Sequence, residues 1–141
     1  MTSVHPLQRF VDAQNPVYDH VLQELQAGRK RSHWMWYVFP QLKGLGHSAM
    51  AVRYGLEGAE EARAYLDHPV LGPRLRTCVG ALLEHSGKTA KQILGSPDDL
   101  KLRSCLTLFG QVAPEDPLFQ LALMQFYDGE PDRLICAILA R

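Results

Sequence analysis

A surplus of charge is the first thing this sequence lacks. Fifteen Lys and Arg side chains face fifteen Asp and Glu, so the formal net charge at pH 7 is zero with histidine neutral. Binding to a phosphate backbone needs a basic stripe or face. A balanced chain has no global field to draw in a nucleic-acid polymer or an anionic membrane, and neither is expected as a partner. Cysteine is scarce too. Cys78, Cys105 and Cys136 are odd in number and far apart, which excludes a fully paired disulfide framework and a Cys-x-x-Cys zinc site. Each stands beside aliphatic residues and reads as a buried free thiol, which fits a reducing compartment. No run approaches the 18 or so apolar residues that span a bilayer. Met1-Thr2-Ser3-Val4-His5-Pro6 has none of the apolar core of a secretory leader. The expected location is cytoplasmic.

Catalytic signatures are missing as well. Six histidines are present, but no His-Glu-x-x-His places two of them on one helix face around a carboxylate. Gly44-Leu45-Gly46 lacks the third glycine and the preceding strand of a dinucleotide fingerprint, and no lysine follows a glycine loop in Walker fashion. Neither a metal nor a cofactor is expected. Serines, histidines and aspartates are plentiful, yet no spacing singles out a triad. The sequence names no reaction.

What is there reads as helix. A chain of 141 residues, 46% hydrophobic and 21% charged, has the ordinary globular balance and is long enough to bury a core as one domain over residues 1–141. No segment alternates apolar and polar residues convincingly. Leu7, Phe10 and Val11 suggest a first helix after Pro6. Asn15-Pro16 reads as a cap with proline at the first helical position, followed by Val17, Val21 and Leu25, with Gly28 as terminator. Residues 48–56 and 60–66 read as short helices, and Leu75, Val79, Leu82 and Leu83 as a core face after Pro73. Ser96-Pro97-Asp98-Asp99 is the strongest helix start, with two acids where the macrodipole favours them. Leu102, Cys105, Leu106 and Phe109 continue it as a stripe. Asp116-Pro117 repeats the pattern before Leu118, Ala122 and Phe126, and Leu134 to Leu139 supplies a last helix. The expectation is an all-α fold, one compact domain of seven or eight short helices. Its core should hold Val79, Leu82, Leu83, Leu102, Leu106, Phe109, Leu123 and Phe126. Residues 33–39 and 86–95 are the stretches that periodicity does not resolve.

The chain is organised around Ser32-His33-Trp34-Met35-Trp36-Tyr37-Val38-Phe39-Pro40-Gln41, which contains both tryptophans and follows the basic run Arg29-Lys30-Arg31. Ser32 is placed to cap it, and Phe39 before Pro40 marks its end. Aromatic side chains on this scale pack cores. Two indole N–H groups, a phenol and an imidazole are costly to bury unsatisfied, however, at about 1–3 kcal/mol each. An apolar wall carrying a few polar groups is the composition of a ligand pocket.

A second polar set lies on the helix after Pro97. Asp98, Lys101 and Ser104 follow a spacing of three and point away from the apolar stripe, with Thr107 beyond them. As simple surface features they would be helical ion pairs, Asp98 with Lys101 and Asp99 with Arg103. As a site, they would face the aromatic segment. The candidate ligand-binding residues are therefore Lys30, Ser32, His33, Trp34, Trp36, Gln41, Lys43, Asp98, Lys101 and Ser104. His33 is the candidate acid or base, because imidazole changes protonation near neutral pH. The partner expected is a small anionic or nucleotide-like ligand in a Trp, His and Lys-lined pocket. The alternative is a protein-interaction or homodimerisation module without catalysis, using the leucine-rich last two helices.

The aromatic motif resembles a known family, as do Tyr65-Leu66 with His68-Pro69-Val70-Leu71-Gly72, and Ser96-Pro97-Asp98-Asp99-Leu100-Lys101-Leu102-Arg103-Ser104 with Thr107-Leu108-Phe109. That family is the domain of unknown function numbered eighteen-ten, whose members are sometimes labelled calpastatin-like. The resemblance covers nearly the whole chain. It implies a small, mainly α-helical bacterial-type cytoplasmic protein and brings no activity or site residues with it. Cys105 and Gly110 stand where the family pattern is less typical. The calpastatin label finds no support here, since an inhibitor of that type would be largely disordered.

Overall fold

The structure, a computed structural model, describes residues 6–140. Among them are ten helices and no strand: α1 Gln8–Gln14, α2 Tyr18–Ala27, α3 Met35–Val38, α4 Ala49–Tyr54, α5 Ala59–Asp67, α6 Leu71–Leu83, α7 Ala90–Leu94, α8 Asp98–Val112, α9 Leu118–Tyr127 and α10 Arg133–Leu139. The all-α expectation holds, with more helices than expected. The additions come from the two unresolved stretches. The aromatic segment forms one turn, α3, ended by Phe39 before proline. Residues 90–94 form α7, started by a capping box in which Thr89 accepts from the Gln92 N–H and Gln92 from the Thr89 N–H.

The caps correct several expectations. Asn15 ends α1 rather than starting α2, and α2 begins at Tyr18 with no side-chain cap. Neither Ser96 nor Pro97 caps α8 with a side chain, and Ser32 does not cap α3. Asp116 does accept from the Leu118 N–H, at 3.1 Å. Ser48 caps α4 through the Ala51 N–H. α6 starts two residues before Pro73, because His68 Nδ1 accepts from the N–H groups of Val70 and Leu71 at 3.1 and 3.2 Å. Gly28 ends α2 in the left-handed conformation, φ 73°.

α8 is the axis of the fold and packs against α5, α7, α9 and α10. From Leu102 to Gly110 every residue but Arg103 is buried, so its apolar stripe widens to nearly the full circumference. Rings link the layers, with Phe10 edge-on to Tyr65 at 5.2 Å, Tyr65 against Phe109 at 5.5 Å, and Phe109 against Phe119 at 5.8 Å. Val79, Leu82, Leu102, Leu106, Phe109 and Leu123 are core, whereas Leu83 and Phe126 are half-buried on its edge. Cys78 and Cys105 are buried free thiols, and Cys136 is half-buried. Burial pushes the Cys78 thiol up to about 12 and Cys105 upward as well, so both are inert packing groups.

Candidate functional site

The aromatic segment is fastened from below by one carboxylate. Glu24 on α2, only 6% exposed, accepts from the backbone N–H groups of Arg31 (2.8 Å) and Ser32 (3.1 Å). It also accepts from the Ser32 hydroxyl and from Trp34 Nε1 at 2.9 Å. His20 Nε2 lies 2.8 Å from its other side. Burial by itself would raise this carboxyl, but the hydrogen bonds outweigh it and hold the pKa at about 2. Trp34 and Ser32 are thereby spent on structure. Trp34 is 1% exposed and offers no free face.

The segment meets α8 through charge. Lys30 Nζ stands 2.9 Å from Asp98 Oδ2 and 5.1 Å from the Trp34 ring centre. The Lys30 backbone N–H donates to Ile93 in α7 at 2.7 Å. Lys101 Nζ lies 3.7 Å from Asp98 Oδ1 and 5.2 Å over the Trp36 ring. Asp98 is thus paired with two lysines, whereas Asp99 beside it makes no ion pair among the described residues.

Beside this junction, a groove of about 470 Å³ opens between Trp36 of α3, the loop through Gln41 to Ser48, the first half of α8 and the start of α10. The loop is held in place by paired backbone hydrogen bonds, Lys43 N–H to Leu56 O at 2.8 Å and Leu56 N–H to Gln41 O at 3.0 Å. Leu45, Leu100 and Leu134 supply apolar rim, and Lys101, Arg103, Ser104 and Asp132 the polar wall. Behind Trp36 the space narrows to about 10 Å³ among Met35, Phe39 and Tyr54, too little for a ligand atom group, so Trp36 is the inner wall.

Of the residues proposed from sequence, Trp36, Gln41, Lys101 and Ser104 line the groove. Asp98 and Lys30 sit behind it as an ion pair. Ser32 and Trp34 belong to the Glu24 anchor. His33 is exposed and outside the groove, where its carbonyl accepts from the Tyr37 hydroxyl at 3.5 Å. Lys43 also lies outside, paired with Glu57 at 3.0 Å. The pocket wall is therefore narrower than the sequence suggested, because Lys30 and Asp98 are bonded to each other, Ser32 and Trp34 to Glu24, and Lys43 to Glu57.

Sequence reasoning missed Arg103 and Asp132 as groove residues. The expected Asp99–Arg103 ion pair is not formed, and Asp99 Oδ1 and Arg103 Nε are both buried without a hydrogen-bond partner. Among the described residues the Arg103 side chain makes no ion pair, although it lines the groove. Tyr127, which donates to the Asp99 carbonyl, is pushed up by burial and by the Asp99 charge, and drawn down by Arg103. Asp132 explains the mid-helix hydroxyls. Ser104 donates to its carboxylate, its own N–H donates to Thr107 Oγ1 at 2.9 Å, and it caps α10 through the Leu134 N–H at 3.0 Å. The signal that could have found Arg103 is its position on α8, two residues past Lys101 and off the apolar stripe.

A family model described as protein of unknown function (DUF1810) matches residues 4–139. Among curated proteins there is no match. A solved structure titled as the conserved hypothetical protein Rv1873 from Mycobacterium tuberculosis, at 1.38 Å, is 52% identical over 96% of each chain, with a TM-score of 0.94.

Proposed function

This chain belongs to the DUF1810 family of proteins of unknown function, a membership that brings no reaction with it, and from the groove we propose that it binds a small anionic ligand with a planar or apolar body. The observation that carries this reading is Arg103. A guanidinium with a buried, unpartnered Nε is costly unless something completes its hydrogen bonds. It stands in a groove whose volume suits a small molecule. Lys101 adds a second cation, Trp36 an aromatic wall, and the leucines an apolar rim. The residues assigned to binding are Trp36, Gln41, Lys101, Arg103 and Ser104, with Asp132 holding the wall in shape.

A thermal-shift screen of nucleotides, sugar phosphates, aromatic acids and polar metabolites tests the reading. A true ligand at about a hundred times its dissociation constant stabilises the folded chain by about 2.7 kcal/mol. That shift should be lost in Arg103→Ala and Trp36→Ala and kept in His33→Ala and Lys43→Ala. If no compound shifts the wild type, or all four variants respond alike, the groove is not the functional site.

A second reading, self-association, rests on α9. Leu121 and Met124 stand three residues apart on that helix, 56% and 61% exposed. Light scattering on wild type and Met124→Glu separates the two readings: a dimer that the substitution dissolves favours an interaction module.

A further inference from the structure

Taking the groove as a ligand site, we infer that its ligand presents a single carboxylate on an aromatic or apolar body, and not a phosphate. The charges around the groove decide between the two anions. With the groove imidazole of His47 taken as neutral, Lys30, Lys101 and Arg103 are the cations of this region, and Asp98, Asp99 and Asp132 are its carboxylates. Three against three leaves no net positive charge to meet a dianion. Two of the cations are already engaged by Asp98, at 2.9 and 3.7 Å. Arg103 alone of the three has no partner, and its planar fork matches one carboxylate with two parallel hydrogen bonds.

Of the usual devices for phosphate, the described lining holds the start of the short α4, where Gly46, His47 and Ser48 border the groove and the Ser48 hydroxyl already takes the Ala51 N–H. Phosphate sites gather several backbone N–H groups at a helix start or glycine loop. Here the first turn of α8 carries Asp98 and Asp99, whose charges oppose a second negative charge. Apart from the charged groups and Gln41, His47, Ser48 and Ser104, the lining is apolar. Leu45, Leu100 and Leu134 line the groove with Trp36, and Leu100 and Leu134 are 56% and 54% exposed. Leucines left open to water beside an unpaired guanidinium suit a ligand whose body is hydrophobic and whose head is one anion.

Three probes sharing one ring separate the possibilities: 2-naphthoate, 2-naphthyl phosphate and 2-naphthol, titrated calorimetrically at pH 7.5 into the whole chain. We expect 2-naphthoate to bind about tenfold or more tighter than either of the others. We expect Arg103→Lys, which keeps the charge but loses the fork, to weaken it by about tenfold. Arg103→Gln should abolish the preference over 2-naphthol. Neither variant should lower the urea midpoint below wild type, because the buried Nε makes no hydrogen bond that the substitution would remove. Tighter or equal binding of the phosphate overturns the carboxylate assignment and leaves the groove reading standing. Naphthoate binding that survives both Arg103 substitutions but is lost in Trp36→Ala does the same. If none of the three binds, or naphthoate binds unchanged in all three variants, both readings fall.

Discussion

Glu24 shows how one residue can organise a loop. Four donors converge on its carboxylate from a segment seven to ten residues further on, and His20 closes the remaining side. The folded-state pKa of about 2 is below the unfolded value of 4.5, so the sign is clear. The stabilisation is fully present above about pH 4.5 and is lost as pH falls through about 2. A shift of this size corresponds to on the order of 3 kcal/mol. Glu24→Gln should therefore lower the urea stability by about that amount at pH 7. The gap to wild type should close progressively between pH 4.5 and 2. A gap that stays constant over that range would mean that the charge on Glu24 is not what holds the aromatic segment. Nothing in the sequence marks Glu24, the one glutamate of α2, as an anchor; only the folded path of residues 30–34 brings its donors to it.

The elements depend on a few close approaches that helix propensity does not reveal. α6 contains two internal glycines with opposite environments. A Cβ on Gly72 would lie 2.0 Å from the Leu66 carbonyl oxygen at the end of α5, whereas one on Gly80 would meet nothing within 4 Å. Alanine gains about 0.5–1 kcal/mol over glycine inside a helix. Gly80→Ala should stabilise the protein by about that amount. Gly72→Ala should destabilise it by about 1–3 kcal/mol, since the clash is with backbone that has no room to rotate away. Chemical denaturation of the two variants side by side checks both signs, and equal effects would refute the close approach of α5 and α6. The caps teach the same lesson. Asn15 and Ser96 have the chemistry of an N-cap without its geometry, while His68 takes the role at α6 through a ring nitrogen.

At the scale of the molecule, the two tryptophans divide the labour. Trp34 is sealed against Glu24 and Phe39, and Trp36 is half-buried along the groove. Collisional quenching of fluorescence by acrylamide should therefore act mainly on Trp36. Ligand-induced changes in emission should vanish in Trp36→Phe and persist in Trp34→Phe. A response that follows Trp34 would place the ligand elsewhere. Apolar spacing and proline punctuation determined that the chain is helical, where most helices lie and that Leu102, Leu106 and Phe109 face the core, because those properties depend on neighbours within a turn or two. The same reading placed Trp36, Gln41, Lys101 and Ser104 among the site candidates. Tertiary structure alone decided which of the candidates remain free. Lys30 is taken by Asp98, Ser32 and Trp34 by Glu24, and Lys43 by Glu57, whereas Arg103 misses Asp99 and faces the groove unpaired. Hydrogen bonds reach only about 3 Å, so which donor finds which acceptor is decided by where the folded helices bring them.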